Sequence, residues 1–295
     1  MNKSKGVLLF ARNSAQIDYN KMAYFCATQV KYHLDLPVSL VTDSKEWLLK
    51  SIPASADVFD KIIDIYTEIG DDLKILDQEI KSRLLYDGSL SSKKIDFKNN
   101  LRTLSFELSP YDQTLVLDTD YIVQNNSLLK CFESDQDLLM YKTNYDLSGY
   151  REIEDFNCIQ DKGIEFFWAT VIYFEKSYST KVFFDLCMHI QENWNYYRPL
   201  YGITRSGLLR NDFVFSIAIH MLRGFQKTKW PNEPPGKMFY TLDRDVLQKI
   251  TKDTLTFLIE KQNHLGEYTL CQTKNMNVHV MNKQSILRVL ETMNV

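Results

Sequence analysis

Two aspartates one residue apart, Asp118 and Asp120, close an apolar run, Leu115-Val116-Leu117. A few apolar residues bounded by polar ones suit a strand buried on both faces. At the end of such a strand, the period of two points both carboxylates to the same side. Two carboxylates that close do not both ionise comfortably without a cation beside them. Oxygen donors favour a hard divalent ion, Mg²⁺ or Mn²⁺. The plainer alternative is a pair of polar residues ending a strand at its solvent edge, so the surrounding elements decide.

Those elements alternate. Gly6 to Ala11 (GVLLFA) reads as a first strand, followed by a helix over about Asn20 to Tyr32. Val38 to Thr42 (VSLVT) and Lys61 to Ile65 (KIIDI) repeat the strand pattern, with Asp43-Ser44 as a helix N-cap. Strands alternating with helices predict an α/β fold with a doubly wound, mainly parallel sheet and helices on both faces. In such sheets ligands bind beyond the carboxyl ends of the strands, the rim where Arg12, Asp43, Asp118 and Asp120 all fall. Thr67 to Asp96 reads as a surface loop and helix, and Lys98 to Leu108 as a helix feeding the Asp118 strand through Ser109-Pro110-Tyr111-Asp112. Further on, Asp137–Lys142 and Ala169–Phe174 read as strands, Thr180–Tyr197 as an amphipathic helix and Asp212–Leu222 as a buried helix. The tail from Asp253 reads as a short helix, a strand near Val278–Met281 and a last helix after Lys283. No linker or repeat interrupts the pattern, so residues 1–295 read as a single domain.

The 295 residues are 44% apolar and 25% charged, ordinary for a soluble globular chain. Seventeen Tyr and 17 Phe argue against disorder. A net charge of −3 gives no global electrostatic case for nucleic acid or acidic membranes. The five cysteines are scattered, odd in number and free of any C-x-x-C, which suits a reducing, cytoplasmic setting better than a disulfide framework or a zinc site. No run approaches the ~18 apolar residues of a membrane span, so no transmembrane segment is expected. Only 10 glycines occur, and no glycine-rich phosphate loop is present. A phosphate bound here has to be held by a metal and by basic side chains.

The run from Lys98 to Asp120, KNNLRTLSFELSPYDQTLVLDTD, resembles the metal-binding core of glycosyltransferases with the GT-A fold, in particular the glycogenin-like and galactosyltransferase-like retaining enzymes. Three later blocks resemble that family in the same order: Phe167-Trp168-Ala169-Thr170-Val171, Arg210-Asn211-Asp212-Phe213 and Val278-His279-Val280-Met281-Asn282-Lys283. The resemblance implies a single GT-A domain and a metal, Mn²⁺ or Mg²⁺, held by Asp118, Asp120 and His279. It implies Arg102, Lys98 and Lys283 against the diphosphate, with Thr119, Trp168 and Thr170 beside the donor sugar. Phe10, Ala11, Arg12, Tyr19 and Asp43 stand where the family binds the nucleotide base and ribose. Asp212, with Asn211 capping the buried helix, stands where an acidic residue contacts the transferring sugar. This chain has Asp-Phe at 212–213 where the family often has Asp-Gln, and Trp168 and Thr170 where many members have Asn and Gly.

The implied activity is metal-dependent transfer of a sugar from a nucleotide-diphosphate donor, of UDP type, to a hydroxyl, with retention. The acceptor is a glycan, a protein, a lipid-linked sugar or DNA. Six basic residues between Arg198 and Lys229, interleaved with Tyr196, Tyr197, Tyr201 and Trp230, motivate a viral hydroxymethylated-DNA acceptor, against a solvated basic loop. A catalytically silent relative that binds a nucleotide or glycan is a further alternative. A sugar-phosphate nucleotidyltransferase would need the glycine-rich loop that GVLLFARNSAQ lacks. Oligomeric state is left open by the sequence.

Overall fold

The structure is a computed structural model. It describes residues 3–70, 81–86, 92–97, 101–151, 157–159, 163–203, 209–226, 229–261 and 266–293. The chain opens with β1 (Lys5–Ala11), α1 (Tyr19–Leu34), β2 (Val38–Thr42), α2 (Lys45–Ser51), α3 (Ser55–Val58), β3 (Lys61–Asp64) and α4 (Ile65–Ile69). Two hairpin strands follow, β4 (Lys81–Tyr86) and β5 (Ser92–Phe97), then a 3₁₀ turn at Arg102–Leu104 and α5 (Ser105–Leu108). The middle of the chain holds β6 (Gln113–Leu117), β7 (Tyr121–Ile122), β8 (Leu138–Met140), β9 (Asn144–Asp146), β10 (Cys158–Ile159), β11 (Ile164–Glu165) and β12 (Val171–Glu175). Three helices come next: α6 (Tyr178–Glu192), α7 (Trp194–Leu200) and α8 (Asn211–Leu222). The chain then runs through β13 (Met238–Thr241), β14 (Leu247–Ile250), β15 (Thr254–Glu260), β16 (Tyr268–Lys274), β17 (Val278–Val280) and α9 (Lys283–Thr292).

The central sheet has the order β3-β2-β1-β6-β12-β8. Its first four strands are parallel, and β12 runs antiparallel to both neighbours. The fold class is therefore the expected α/β, with a mainly parallel sheet. Every residue of β2 and β6 is buried, so both faces are covered, as crossover connections demand. Helix α1 packs on β1 and β2 and buries Ala23, Ala27 and Val30. Phe183 and Phe184 of α6 meet Phe215 of α8 at 5.7 and 6.4 Å between ring centroids. Each such side chain contributes about 1.5–3 kcal/mol when fully buried. Gly6 lies directly under Tyr111, where a Cβ would intrude into the ring. That close approach lets the Tyr111 hydroxyl bond Ser39 Oγ at 2.8 Å and seats the turn that leads into β6.

A second sheet, β7-β17-β13-β9, stands beside the carboxyl end of β6. It is the element that brings the tail of the chain to Asp118 and Asp120.

Several expectations are corrected. Thr67–Asp96, read from the sequence as a surface loop and helix, holds among its described residues the antiparallel pair β4–β5. Lys98–Leu108 is not one helix: Arg102 sits in a 3₁₀ turn, and α5 is a single turn. Pro110 forces Ser109 into an extended conformation (φ −69°, ψ 129°) and stops the helix there. Thr180–Tyr197 divides at Asn193, whose side-chain amide donates to the His189 carbonyl at 2.9 Å and ends α6. Ser44 occupies the N-cap of α2, but its hydroxyl donates to Asp43 Oδ1 (3.1 Å) and accepts from Asn20 Nδ2 (2.7 Å) instead of capping. The N-cap of α8 is Arg210, so Asn211 is the first helical residue and not the cap. The tail from Asp253 carries no short helix among the described residues. Leu255, Phe257 and Ile259 alternate as the buried face of β15 in a β14-β15-β16 meander.

Candidate metal centre

Asp118 follows β6 directly. Its N–H donates to the Thr170 carbonyl at 2.9 Å, and its own carbonyl accepts from Tyr121 N–H at 3.0 Å. These bonds close a turn through Thr119 that lifts the chain out of the central sheet and into β7. Strand β17 lies antiparallel to β7, with His279 opposite Tyr121. The Val280 N–H donates to the Asp120 carbonyl at 2.9 Å, which fixes the register. A strand 160 residues later in sequence thus places an imidazole across from the two carboxylates.

His279 Nε2 stands 3.3 Å from Asp120 Oδ2 and 3.9 Å from Asp118 Oδ2. One donor atom from each of the three residues lies within 4.8 Å of the others. Thr170 Oγ1 is 3.2 Å from His279 Nδ1 and fixes the ring from its far side, so that Nε2 faces the carboxylates. Trp168 meets the imidazole edge to face at 6.2 Å and Tyr240 at 5.2 Å. At 1% exposure, its indole is a wall behind His279.

Cations surround the carboxylates. Lys283 Nζ is 2.5 Å from Asp120 Oδ2 and donates to the Met281 carbonyl at 2.8 Å. The Arg102 guanidinium pairs with Asp118 Oδ1 through Nη2 and donates through Nη1 to the Ala169 carbonyl at 2.8 Å. Arg102 Nε is buried without a hydrogen-bond partner. Burial lowers the Arg102 pKa, while the charges of Asp120 and Asp212 act to raise it. Burial also works against ionised Asp120, but Lys283 and His279 outweigh it and hold that carboxyl well below the usual carboxylate range. Two carboxylates and two cations cancel. A divalent ion added to the three donors would leave the corner with two positive charges, a match for a diphosphate.

Asp212 stands on the same wall. Its Oδ1 accepts from Ala169 N–H at 2.8 Å, and its Oδ2 accepts from Arg210 at 3.2 and 2.8 Å. Ser216 Oγ accepts from Phe167 N–H (2.8 Å) and donates to the Asp212 carbonyl (2.6 Å). The start of α8 is thereby clamped to the segment that carries Trp168, Ala169 and Thr170. Ala169 joins both networks, with its N–H on Asp212 and its carbonyl on Arg102.

The other expected residues lie along the rim. Leu9 pairs with Leu117, so Ala11 is level with Thr119. Ala11 is fully buried, Thr119 nearly so, and Phe10 packs half-buried against the core. Arg12 Nε meets Asp43 Oδ2 at 3.5 Å, with side chains 2% and 7% exposed. Lys98 lies outside the described residues. Of the basic stretch, Arg210 is paired with Asp212, and Arg223 is buried on Glu165 and over Phe167. Arg205 and Lys227 lie outside the described residues.

No family model matches the sequence, and no curated protein matches it. Among solved structures it is similar to the glycosyltransferase GlyE of Streptococcus pneumoniae, at 15% identity over 75% of this chain and 43% of that one, with a TM-score of 0.42. The chain thus spans less than half of GlyE. It is also similar to mouse xyloside xylosyltransferase 1 (12% identity, 84% and 88% of the two chains, TM-score 0.45). A third is the galactosyltransferase LgtC in complex with donor and acceptor sugar analogues (12%, 72% and 70%, TM-score 0.41). At these values the functional reading rests on the side chains themselves.

Proposed function

We propose that this protein is a metal-dependent glycosyltransferase that takes a sugar from a nucleotide-diphosphate donor of UDP type. The observation that carries the reading is the convergence of Asp118, Asp120 and His279 at the carboxyl rim of the sheet, ringed by Arg102 and Lys283. Two carboxylate oxygens and one imidazole suit Mn²⁺ or Mg²⁺. The ion supplies charge neutralisation for a departing diphosphate, in the place of a proton. In this reading Asp118, Asp120 and His279 hold the ion, and Thr170 keeps His279 Nε2 pointed at it. Lys283 and Arg102 turn their charge from carboxylate to phosphate oxygens as the donor binds. Asp212 fixes Ala169 and Thr170 in place and is the acidic residue of this wall nearest the transferring sugar. Retention, a glycan, protein or lipid-linked acceptor, a single domain and a reducing cytoplasmic setting complete the proposal. Consistent with the last, all five cysteines are free, and among the described residues no helix is long and apolar enough to cross a membrane.

The test is a donor screen. The full chain with Mn²⁺ is mixed with each common nucleotide sugar, and release of free nucleoside diphosphate is followed. Slow hydrolysis of one donor, lost with EDTA, is the expected result. Hydrolysis that survives EDTA would remove the metal from the proposal. Silence together with no binding of any nucleoside diphosphate would remove the reaction class.

A further inference from the structure

The β14-β15-β16 meander has two edges, and they are built differently. On one side β14 is only four residues long, and its register with β15 shifts between Leu247 and Lys249. Helix α9 packs against it, and Arg288 donates to the Leu247 carbonyl. A short, irregular and covered strand offers no template to another chain. On the other side β16 is seven residues long and pairs with β15 from Tyr268 to Lys274 without a shift. No described strand pairs with its outer edge. It carries no proline and a single charge, Lys274. An edge of this kind is open to pairing.

The hydrogen bonds that flank the β15–β16 ladder set its phase. Lys261 N–H donates to the Glu267 carbonyl and Asn275 N–H to the Asp253 carbonyl, each at 2.7 Å. By the alternation of an antiparallel ladder, Thr269, Cys271 and Thr273 spend their backbone groups on β15. Tyr268, Leu270, Gln272 and Lys274 turn theirs to the open edge. The side chains of these four are exposed on the outer face, Tyr268 at 55% and Leu270 at 63%. Cys271, on the inner face, lies half-buried opposite Phe257.

We infer that β16 pairs antiparallel with β16 of a second copy, across a two-fold axis through Cys271, and joins the two meanders into one continuous sheet. The strand is its own complement. Its four outward residues are symmetric about position 271, so this register uses the whole strand. It sets Tyr268 opposite Lys274 at both ends, a ring against an ammonium. Leu270 lies opposite Gln272, whose methylenes cover it, and Thr269 opposite Thr273. No like charges meet. A shift by one residue sets outward backbone groups against inward ones and breaks the ladder, and a shift by two leaves one end of each strand unpaired. The contact is isologous and closes at two copies. It stands whether or not the metal corner transfers a sugar.

The experiment is sedimentation equilibrium on the full chain under reductant, from micromolar to millimolar protein, after melting curves have established that the variants are equally folded. Wild type is expected to pass from monomer to dimer with no larger species. Tyr268→Lys places an ammonium opposite Lys274 of the other copy, while its own neighbour on β15 is Glu260, so the fold tolerates it. Its dimer should be weaker by roughly tenfold, since the like charges meet twice. Leu270→Lys, on the same exposed face, should weaken it likewise, and Tyr268→Glu, which meets Lys274 as an opposite charge, should not. Oxidation reads the register. At a non-hydrogen-bonded pair the two Cys271 Cα atoms stand about 4.5 Å apart, within the span of a disulfide. With the exposed Cys158 changed to Ser, a mild oxidant should yield a covalent dimer, and further change of Cys271 to Ser should abolish it. Wild type that stays monomeric throughout overturns the inference. So does a dimer that Tyr268→Lys and Leu270→Lys leave unchanged, one that Tyr268→Lys and Tyr268→Glu weaken alike, or one that gives no Cys271 cross-link.

Discussion

The rim of the sheet carries two buried arginine–carboxylate pairs, and they differ in what surrounds them. At the β1–β2 end, Arg12 meets Asp43, both side chains almost wholly covered. At the β6 end, Arg102 meets Asp118, but a second carboxylate, a lysine and an imidazole with a fixed far side stand in the same few ångströms. A buried pair of opposite charges neutralises itself, and this one holds two strand ends together. The β6 cluster has spare donors, because three ligand-type groups converge where folding alone needs one. Burial of charge by itself therefore does not mark the site; an excess of donors over structural need does.

The largest expected effect is on activity. Asp120→Asn keeps the volume but removes the carboxylate on which His279 and Lys283 converge. Donor hydrolysis should fall by more than the roughly 10- to 100-fold typical of losing an outer partner of a metal ligand. Mn²⁺ affinity, read by calorimetry, should fall with it. Activity within twofold of wild type would reduce the donor surplus to a structural network.

Next comes stability, where the two ends should look alike. Arg102→Met and Arg12→Met each leave a mostly buried aspartate facing an apolar side chain, a change that costs about 3–5 kcal/mol. At about 2–4 °C per kcal/mol for a chain of this size, both melting temperatures should fall by roughly 6–20 °C. The comparison sharpens in metal binding without nucleotide. Arg102→Met changes Mn²⁺ affinity because Asp118 loses its competing cation, and Arg12→Met leaves it as in wild type. Equal shifts in the two variants would break the distinction between the ends.

The sequence made the β6 end legible and the β1–β2 end less so, for a physical reason. D-x-D after an apolar strand, a histidine on a late strand and a basic residue upstream are residue types scarce in protein cores, so their spacing is a signal. Strands β1, β2 and β6 were legible as continuous apolar runs, since both of their faces are covered, and the edge strand β3 by its Ile62-Ile63 pair. What a side chain does at a rim depends on its nearest partner, which spacing does not encode. Ser44 has the type of a cap and spends its hydroxyl on Asp43, and Asn211 yields the cap to Arg210. The β15–β16 meander was signalled by alternation at Leu255, Phe257 and Ile259, but Leu258 between them blurred the period of two.

The smallest effect is one that only alkaline pH exposes, and it belongs to the β6 end. Cys26 of α1 is buried against this corner, with Sγ 3.6 Å from the Tyr121 carbonyl and 3.9 Å from that of Asp118. Burial, with the charge of Asp120 added, pushes its thiol up to about 12 from an ordinary 9.0. A folded-state pKa raised above the unfolded one means that the neutral thiol is favoured in the fold. Its stabilising contribution is complete below pH 9 and is lost as the pH climbs from 9 toward 12. One unit into that window the loss is about 1.4 kcal/mol. Melting curves from pH 7 to pH 10.5 should fall more steeply above pH 9 in wild type than in Cys26→Ala, whatever the two differ by at neutral pH. Tyr173 and Cys131, also raised by burial to about 12, contribute equally to both slopes and cancel in the comparison. Parallel curves would mean that burial of Cys26 beside Asp120 does not hold its thiol neutral.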